Sequence, residues 1–469
     1  MKTTKLSLRQ WLSFIVAGLI GQLAWAIENN YLSRYIYYAT TTVDNPDLAL
    51  NLIPVMTAAS AAAATITTLF IGALSDKIGK RKIFVYLGYI IWGLSIVAFS
   101  FIDQYTLTSW FGNIANVALI SGTLIIIMDC VMTVFGSTAN DACFNAMVSD
   151  QTDSTNRSKV EGVLAILPLI AMIIIVLAGG PLVDTEIPSD ANWKMFFIVF
   201  GIITTVAGIV CIFLLPKDIR KPIENQNYIQ TITYGFKPKN IKKHTILYVA
   251  LATFALFNIG VQVFMPYFMV YIERYAGISG GNFTLALGLV LGLSSIITVV
   301  FGINMDKLGK FKVIYPAIAT AVVGAVLIGI LGKGIGLVMT VVGGTLLMSG
   351  YLVSTSILAT IVRDCVPGDK SGHFQGIRMF FVVLLPMVSG PFIGQGLSYI
   401  NAEYYLDKNL GNAQTLIPNN LIFFAAGAIL VLTVIPLIYI MKQDKLGKLP
   451  KKIGLEDETT QEGEENANA

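Results

Sequence analysis

The sequence is poor in charged residues. Only 13% of its 469 residues are Asp, Glu, Lys or Arg, whereas 55% are hydrophobic and the mean hydropathy is +0.71. A soluble domain carries about 25% charged residues, so this balance excludes a soluble multidomain protein. The formal net charge of +4 is also too small to indicate a nucleic-acid partner. We therefore expect an integral membrane protein that does not bind nucleic acid.

Residue types that support catalysis or metal binding are also few. The two histidines, His244 and His373, stand at the ends of apolar runs without a neighbouring nucleophile or metal-ligand cluster. No G-x-x-x-x-G-K-[ST] motif is present, so this chain has no P-loop for ATP. The cysteines show neither metal-ligand spacing nor a disulfide framework: Cys130, Cys143, Cys211 and Cys365. The sequence therefore predicts neither an enzyme nor a bound cofactor or metal.

Long apolar runs dominate the chain. About 20 residues of helix are needed to cross about 30 Å of hydrocarbon, and a lipid-facing backbone must satisfy its own hydrogen bonds. Twelve runs meet this length and predict an all-α protein with twelve transmembrane helices. Their approximate bounds are 11–39, 47–75, 83–102, 113–147, 157–183, 192–216, 244–275, 281–303, 313–331, 336–363, 373–400 and 417–441.

Lys and Arg are concentrated in alternate connections, which are cytoplasmic by the positive-inside rule. Both termini are then cytoplasmic, and the other side holds few cations: Lys194, Arg274, Lys333 and Lys408. The longest cytoplasmic connection is basic and divides the chain at half its length. We expect a multi-pass plasma-membrane protein in four parts: an N-terminal six-helix bundle 1–216, a cytoplasmic linker 217–243, a C-terminal six-helix bundle 244–441, and a disordered cytoplasmic tail 442–469.

A short basic turn occurs twice, each time between two apolar runs. GALSDKIGKRK spans 72–82 and GINMDKLGKFK spans 302–312, and the copies share Gly72/Gly302, Asp76/Asp306, Lys77/Lys307, Gly79/Gly309, Lys80/Lys310 and Lys82/Lys312. The repeat indicates two related halves. An Asp at the end of a helix is within reach of a neighbouring helix N-terminus or a basic side chain. We therefore predict gating roles for Asp76, Arg81 and Asp306, and for Asp150 with Arg157 at the inner end of span four.

Ionisable side chains inside apolar runs are costly and mark function by default. Glu28 in span one and Asp129 in span four are the main candidates. Two carboxyls desolvated together cannot easily both be charged, so one of them is expected to carry a coupling cation. Neighbouring polar and aromatic residues are expected to bind the substrate: Gln22, Trp25, Asn29, Asn258, Gln262, Tyr267 and Tyr351.

Each candidate has a structural alternative. Glu28 can form a buried ion pair with Arg34 instead of binding a cation. Asn258 and Gln262 can serve only as hydrogen bonds between helices. Tyr37 and Tyr38, near the outer end of span one, are interpreted as membrane-interface anchors rather than site residues.

The first basic turn resembles the loop 2–3 signature G-x-L-x-D-x-x-G-x-[RK]-[RK] of the major facilitator superfamily. Gly72, Leu74, Asp76, Gly79 and the following basic pair match it, whereas the second copy lacks the Leu and one basic position. The resemblance implies two pseudo-symmetric six-helix bundles around a central cavity and transport by alternating access. It also implies that spans one, four, seven and ten line that cavity.

Two stretches, 22–38 and 129–162, are similar to the glycoside–pentoside–hexuronide:cation symporters, the melibiose-type carriers. In that family, Asp129 matches an aspartate of the cation site in helix four. The melibiose carriers add two aspartates from helix two, but span two here has no acid between Asp47 and Asp76. A hard cation needs several oxygen ligands, whereas a proton needs one carboxyl, so H⁺ is favoured over Na⁺ as the coupling ion.

The expected function is cation-coupled import of a sugar or glycoside by a monomer in the lipid bilayer. The alternatives are an exporter of amphipathic compounds and a non-transporting nutrient sensor with a carrier fold. Aromatic side chains stacked on a pyranose favour the sugar, whereas a cavity lined mostly by Phe and Met favours the exporter.

Overall fold

The computed structural model describes residues 6–112, 114–152, 156–183, 190–219, 233–334, 336–366, 374–407 and 413–447. This part of the chain contains twelve helices that are long and apolar enough to cross a membrane, as the sequence predicts. In order, these spans are Leu8–Thr40, Leu48–Ile78, Lys82–Phe101, Val117–Gln151, Lys159–Val183, Ala191–Leu214, Thr245–Tyr275, Gly281–Phe301, Lys310–Leu331, Gly336–Cys365, Gly376–Ile400 and Leu421–Lys445.

Both basic turns lie at the same end of the bundle, because six spans separate them. We call this end the basic face and the other end the opposite face. Gly79 ends the second span with φ +70°, a backbone conformation that glycine adopts at little cost. Gly309 likewise has φ +84° before the ninth span. Both glycines therefore allow a tight turn between two spans.

Close backbone contact holds several spans together. A Cβ added to Gly93 in span three would lie 2.4 Å from the backbone N of Thr205 and 2.6 Å from the carbonyl O of Gly201, both in span six. In the other half, a Cβ on Gly324 would lie 2.2 Å from the backbone N of Leu347 in span ten. Small residues allow such contact between membrane helices.

Several spans are not regular α-helices over their whole length. Span four contains a π-helical segment, Ser137–Phe144, and span seven is interrupted by a 3₁₀ turn, Met265–Tyr267, followed by a π turn, Tyr271–Tyr275. Further π turns occupy Ile175–Gly179 in span five and Phe380–Leu384 in span eleven. Pro266 explains the interruption in span seven, since proline has no N–H for the helical ladder.

A β-hairpin follows span eleven on the opposite face. Its strands, β1 (Glu403–Asp407) and β2 (Ala413–Ile417), are antiparallel with Glu403 opposite Ile417. The hydrophobic pattern of the sequence does not predict this hairpin. Leu416 of β2 donates its N–H to the carbonyl O of Pro46 at 3.0 Å, which ties the hairpin to the connection between the first two spans.

Short helices also lie outside the spans. Gln104–Phe111 follows span three, and the predicted linker contains a 3₁₀ turn, Tyr234–Phe236, and a helix, Pro238–Lys243. The last span continues to Lys445, four residues into the predicted tail. Residues 220–232 and 448–469, which hold about half of the predicted linker and most of the predicted tail, lie outside the described residues.

Candidate functional site

A small polar cavity lies between the two halves. Its volume is about 40 Å³, well below the about 300 Å³ at which small-molecule pockets begin, so it must widen to admit a solute. Seven of its eleven lining residues are polar. The lining residues are Glu28, Asn29, Ser33, Met56, Thr57, Ser60, Asp129, Gln262, Met265, Pro266 and Met387.

Two hydroxyl groups hold the Glu28 carboxylate. Ser60 of span two donates to Glu28 Oε1 at 2.9 Å, and Thr133 of span four donates to the same oxygen at 3.1 Å. The two hydroxyl oxygens are 2.8 Å apart. Three spans therefore meet at one carboxylate oxygen, which fixes the position of Glu28 at the cavity wall.

Asp129 lies one helical turn before Thr133 and is 1% exposed. Its Oδ1 and the second Glu28 oxygen, Oε2, are buried without a hydrogen-bond partner. Buried polar atoms are normally satisfied. The pair thus presents two acceptor oxygens that a proton, a cation or a solute hydroxyl can satisfy.

The alternative in which Glu28 pairs with Arg34 is wrong. Arg34 instead binds Glu273 of span seven, with Nε to Oε2 at 2.9 Å and Nη2 to Oε1 at 2.7 Å. Within the described residues, no Lys or Arg lies within ion-pair distance of Glu28 or Asp129. The charge of the carboxyl pair is therefore not neutralised by a fixed basic side chain of this part of the chain.

Only two of the residues predicted to bind substrate line the cavity. They are Asn29, whose amide also donates to the Trp25 carbonyl at 2.8 Å, and Gln262. The other five residues lie outside the lining. Gln22 is half-buried, Trp25 packs edge-on against Trp92, and Tyr351 stacks on Phe257. Asn258 donates to the Val382 carbonyl and Tyr267 donates to the Pro391 carbonyl. No described lining residue is aromatic. Spans two and eleven contribute residues to the cavity wall, whereas span ten contributes none that is described.

Polar groups continue along span four from the cavity towards the basic face. Asp129, Thr133, Ser137 and Asp141 follow at intervals of four, and Ser137 donates to Asp141 Oδ2 at 3.2 Å. Asn140 donates to the other oxygen of Asp141 at 3.3 Å. Asp141 is half-buried in the π-helical segment, and such segments are frequent at functional sites.

Arg81 is the centre of a charge network on the basic face. It is 3% exposed and lies 2.7 Å from Asp76 and 2.9 Å from Asp150. Asp218, which sequence reasoning missed, accepts the backbone N–H groups of Arg81 and Lys82, both at 3.0 Å. These N–H groups open span three, where an acidic side chain satisfies otherwise unpaired donors.

The second half has a related contact. Lys310 lies 3.0 Å from Asp364, and these residues occupy the second basic turn and the end of span ten, as Arg81 and Asp150 occupy the first turn and the end of span four. The side chains of Asp306 and Arg157 lie outside the described residues. Their predicted gating roles therefore remain predictions.

Polar contacts on the opposite face join the two halves. Besides Arg34 and Glu273, Tyr37 donates to the Leu416 carbonyl at 2.8 Å, and Arg274 lies 4.7 Å from the centre of the Tyr37 ring. Arg274 also forms an ion pair with Asp407 of the hairpin at 3.0 Å. Tyr37 and Tyr38 are 0% and 7% exposed, so the interpretation as interface anchors is wrong.

Twelve spans form two halves with a polar cavity between them, and polar contacts join the halves on the opposite face. This arrangement defines a multi-pass membrane transporter for small molecules. The sequence matches the Major Facilitator Superfamily over residues 10–391. The chain belongs to that superfamily. It is a transporter and not an enzyme. No curated protein sequence matches it.

Solved structures share the fold at low identity. A D-xylose-proton symporter superposes with a TM-score of 0.69 at 14% identity, covering 91% of this chain and 97% of the other. A point mutant of the nucleoside transporter NupG gives 0.67 at 12% identity, with 92% and 99% coverage. The xylose transporter XylE from E. coli, in a partially occluded inward-open conformation, gives 0.64 at 13% identity, with 92% and 98% coverage.

Proposed function

We propose that this protein is a secondary active transporter that imports a sugar or glycoside together with a proton. It works as a monomer in the plasma membrane with both termini in the cytoplasm, and it resembles the glycoside–pentoside–hexuronide:cation symporters. One observation carries the proposal: Glu28 and Asp129 lie buried together in a polar cavity between the halves, with no cationic partner among the described residues.

The chemistry of this carboxyl pair supports the proton as the coupling ion. Two carboxyls in a water-poor cavity repel each other when both are charged, which favours binding of one proton. The neutral form also costs less to carry through a low-dielectric barrier. Span two supplies Ser60 and Thr57 to the cavity but no acid. Na⁺ needs several oxygen ligands, which disfavours Na⁺ as the coupling ion.

The polar lining supports a hydroxyl-rich solute. Carboxylate, amide and hydroxyl groups dominate the wall and can bond to sugar hydroxyls. Met56, Met265 and Met387 are the larger apolar lining residues, so the cavity is not lined mostly by Phe and Met as is expected of an exporter of amphipathic compounds. A carboxyl pair that serves cargo and proton at one place favours transport over sensing.

Alternating access follows from where the contacts lie. On the opposite face the described ion pair Arg34–Glu273 bridges the two halves, whereas Arg81–Asp150 and Lys310–Asp364 on the basic face each remain within one half. This conformation is therefore closed by inter-half contacts on the opposite face. Opening there requires the Arg34–Glu273 pair to break.

The direct test is proton flux in proteoliposomes that contain the purified full-length protein. A panel of mono- and disaccharides and aryl glycosides is added outside, and external pH is recorded under a clamped membrane potential. We expect one class of sugar to cause external alkalinisation that vanishes with a protonophore. Sugar uptake that needs Na⁺ and ignores the pH gradient would contradict the proton assignment. No response to any sugar, with efflux of amphipathic dyes, would favour the exporter.

A further inference from the structure

A second cavity lies away from the central one, on the basic face of the C-terminal half. It is a groove of about 500 Å³ between the first turns of spans seven and eleven and the short helix Pro238–Lys243. Ile241, Tyr248, Ala252 and Phe381 are among its lining residues. The lining is almost wholly apolar, and no contact of the central cavity depends on it.

The groove has a defined shape. The Tyr248 hydroxyl donates to the Gly235 carbonyl, which fixes the turn before the short helix to span seven. The Phe236 ring lies 5.9 Å from the Phe380 ring of span eleven and closes one side. Phe236 and Ile241 nevertheless stay 43% and 40% exposed. The apolar wall is thus built but not covered by the described part of the chain.

The charged residues in the described stretches around the groove are all basic. Lys237, Lys239, Lys242 and Lys243 are exposed on the segment that forms its rim. The described stretches that form the walls, 233–252 and 374–384, contain these lysines and Arg378 but no Asp or Glu. An apolar slot at a helix end with basic residues at its mouth has the charge and polarity of a site for an anionic amphiphile.

We propose that this groove binds an anionic phospholipid of the surrounding leaflet. One acyl chain lies along Tyr248, Ala252 and Phe381, and the phosphate group lies among the lysines of 237–243. The position suits a lipid because the lining residues occupy the first turns of two spans, where headgroups meet hydrocarbon. The site is independent of the transported solute and of the coupling ion.

The test measures lipid bound to the purified full-length protein by native mass spectrometry. Phosphatidylglycerol and phosphatidylcholine of equal chain length are added at equal concentration. We expect phosphatidylglycerol to bind at least several-fold more tightly. Lys242→Gln with Lys243→Gln should remove most of this preference, whereas Lys442→Gln with Lys445→Gln, an equal charge loss on the same face, should not.

A second pair of variants tests the groove itself. Ala252→Trp fills it from the exposed side without changing charge, and Ala319→Trp places the same ring at an exposed position of span nine. Phosphatidylglycerol binding should fall with Ala252→Trp only. Equal binding of both lipids, equal effects of the two lysine pairs, no effect of Ala252→Trp, or displacement of lipid by excess glycerol phosphate would each overturn the proposal.

Discussion

The position of Glu28 depends on the hydroxyls of Thr133, which shares a helix face with Asp129 in the sequence pattern, and of Ser60, which that pattern does not reveal. Ser and Thr are common in membrane helices and give no periodic signal, so Ser60 was not predicted, although it is 3% exposed and donates to Glu28. Glu28 and Asp129 were recognisable because a charge inside an apolar run is costly. Residue type and helical position predict Tyr267 and Tyr351 as binding residues, but they do not reveal that Tyr267 is fully buried against span eleven.

Ser60→Ala is expected to slow gradient-driven uptake by about tenfold, because a hydrogen bond to a charged group contributes roughly 1.5–3 kcal/mol. Glu28 would keep only the Thr133 bond on Oε1. Initial rates of labelled substrate uptake measure this. Ser60→Thr retains the hydroxyl and should keep most of the rate. If Ser60→Ala is fully active, the hydroxyl does not position Glu28.

At the scale of helices and turns, the sequence predicts the lengths and order of the spans well, because the hydrophobic runs are long and the basic turn is repeated. It does not predict the π-helical segment Ser137–Phe144 or the hairpin 403–417. A π turn follows from how neighbouring spans pack. The hairpin strands are five residues each and depend on Tyr37 and Pro46, which are distant in sequence.

Gly93→Ala should destabilise the protein by about 1–3 kcal/mol, because its Cβ would meet the backbone of span six and overpacking costs that much. Gly292→Ala is the matched control, since no atom lies within 4 Å of a Cβ added there. Thermal unfolding in detergent should show a lower midpoint for the first variant and no loss for the second. Equal midpoints would mean that spans three and six can separate without cost.

Asp76→Asn should lower the turnover rate by several-fold with KM nearly unchanged, because Asp76 holds Arg81 rather than the solute. Lys80→Gln removes an exposed charge from the same turn and should leave turnover within about twofold, as surface charges contribute little. Transport kinetics in proteoliposomes separate the two effects. An unchanged turnover rate in Asp76→Asn would argue against a gating role.

At the scale of the whole molecule, the repeat and the spans predict two halves, but not which end is closed. Closure of the opposite face depends on contacts of Glu273 and of the hairpin, which join residues far apart in the chain. Arg34→Gln is expected to shift the population towards opening on the opposite face. Lys333→Gln breaks the exposed pair with Glu403, which lies within one half, and should shift nothing.

Spin labels report this shift. Val43→Cys and Val338→Cys place one label in each half, on the opposite face, at positions that are 71% exposed. The half-buried Cys130 is first replaced by Ala so that it is not labelled. Double electron–electron resonance should show a longer distance between the two labels in Arg34→Gln than in Lys333→Gln. Identical distance distributions would mean that the Arg34–Glu273 pair does not control closure.

We propose that the buried pair Glu28 and Asp129 couples a proton to the solute. The most direct measurement compares uphill accumulation with downhill exchange of labelled substrate in proteoliposomes carrying Glu28→Gln or Asp129→Asn. We predict that at least one neutral variant loses accumulation and keeps exchange, because it can no longer bind and release a proton. If both variants still concentrate substrate against its gradient, neither carboxyl is the coupling site and the account is wrong.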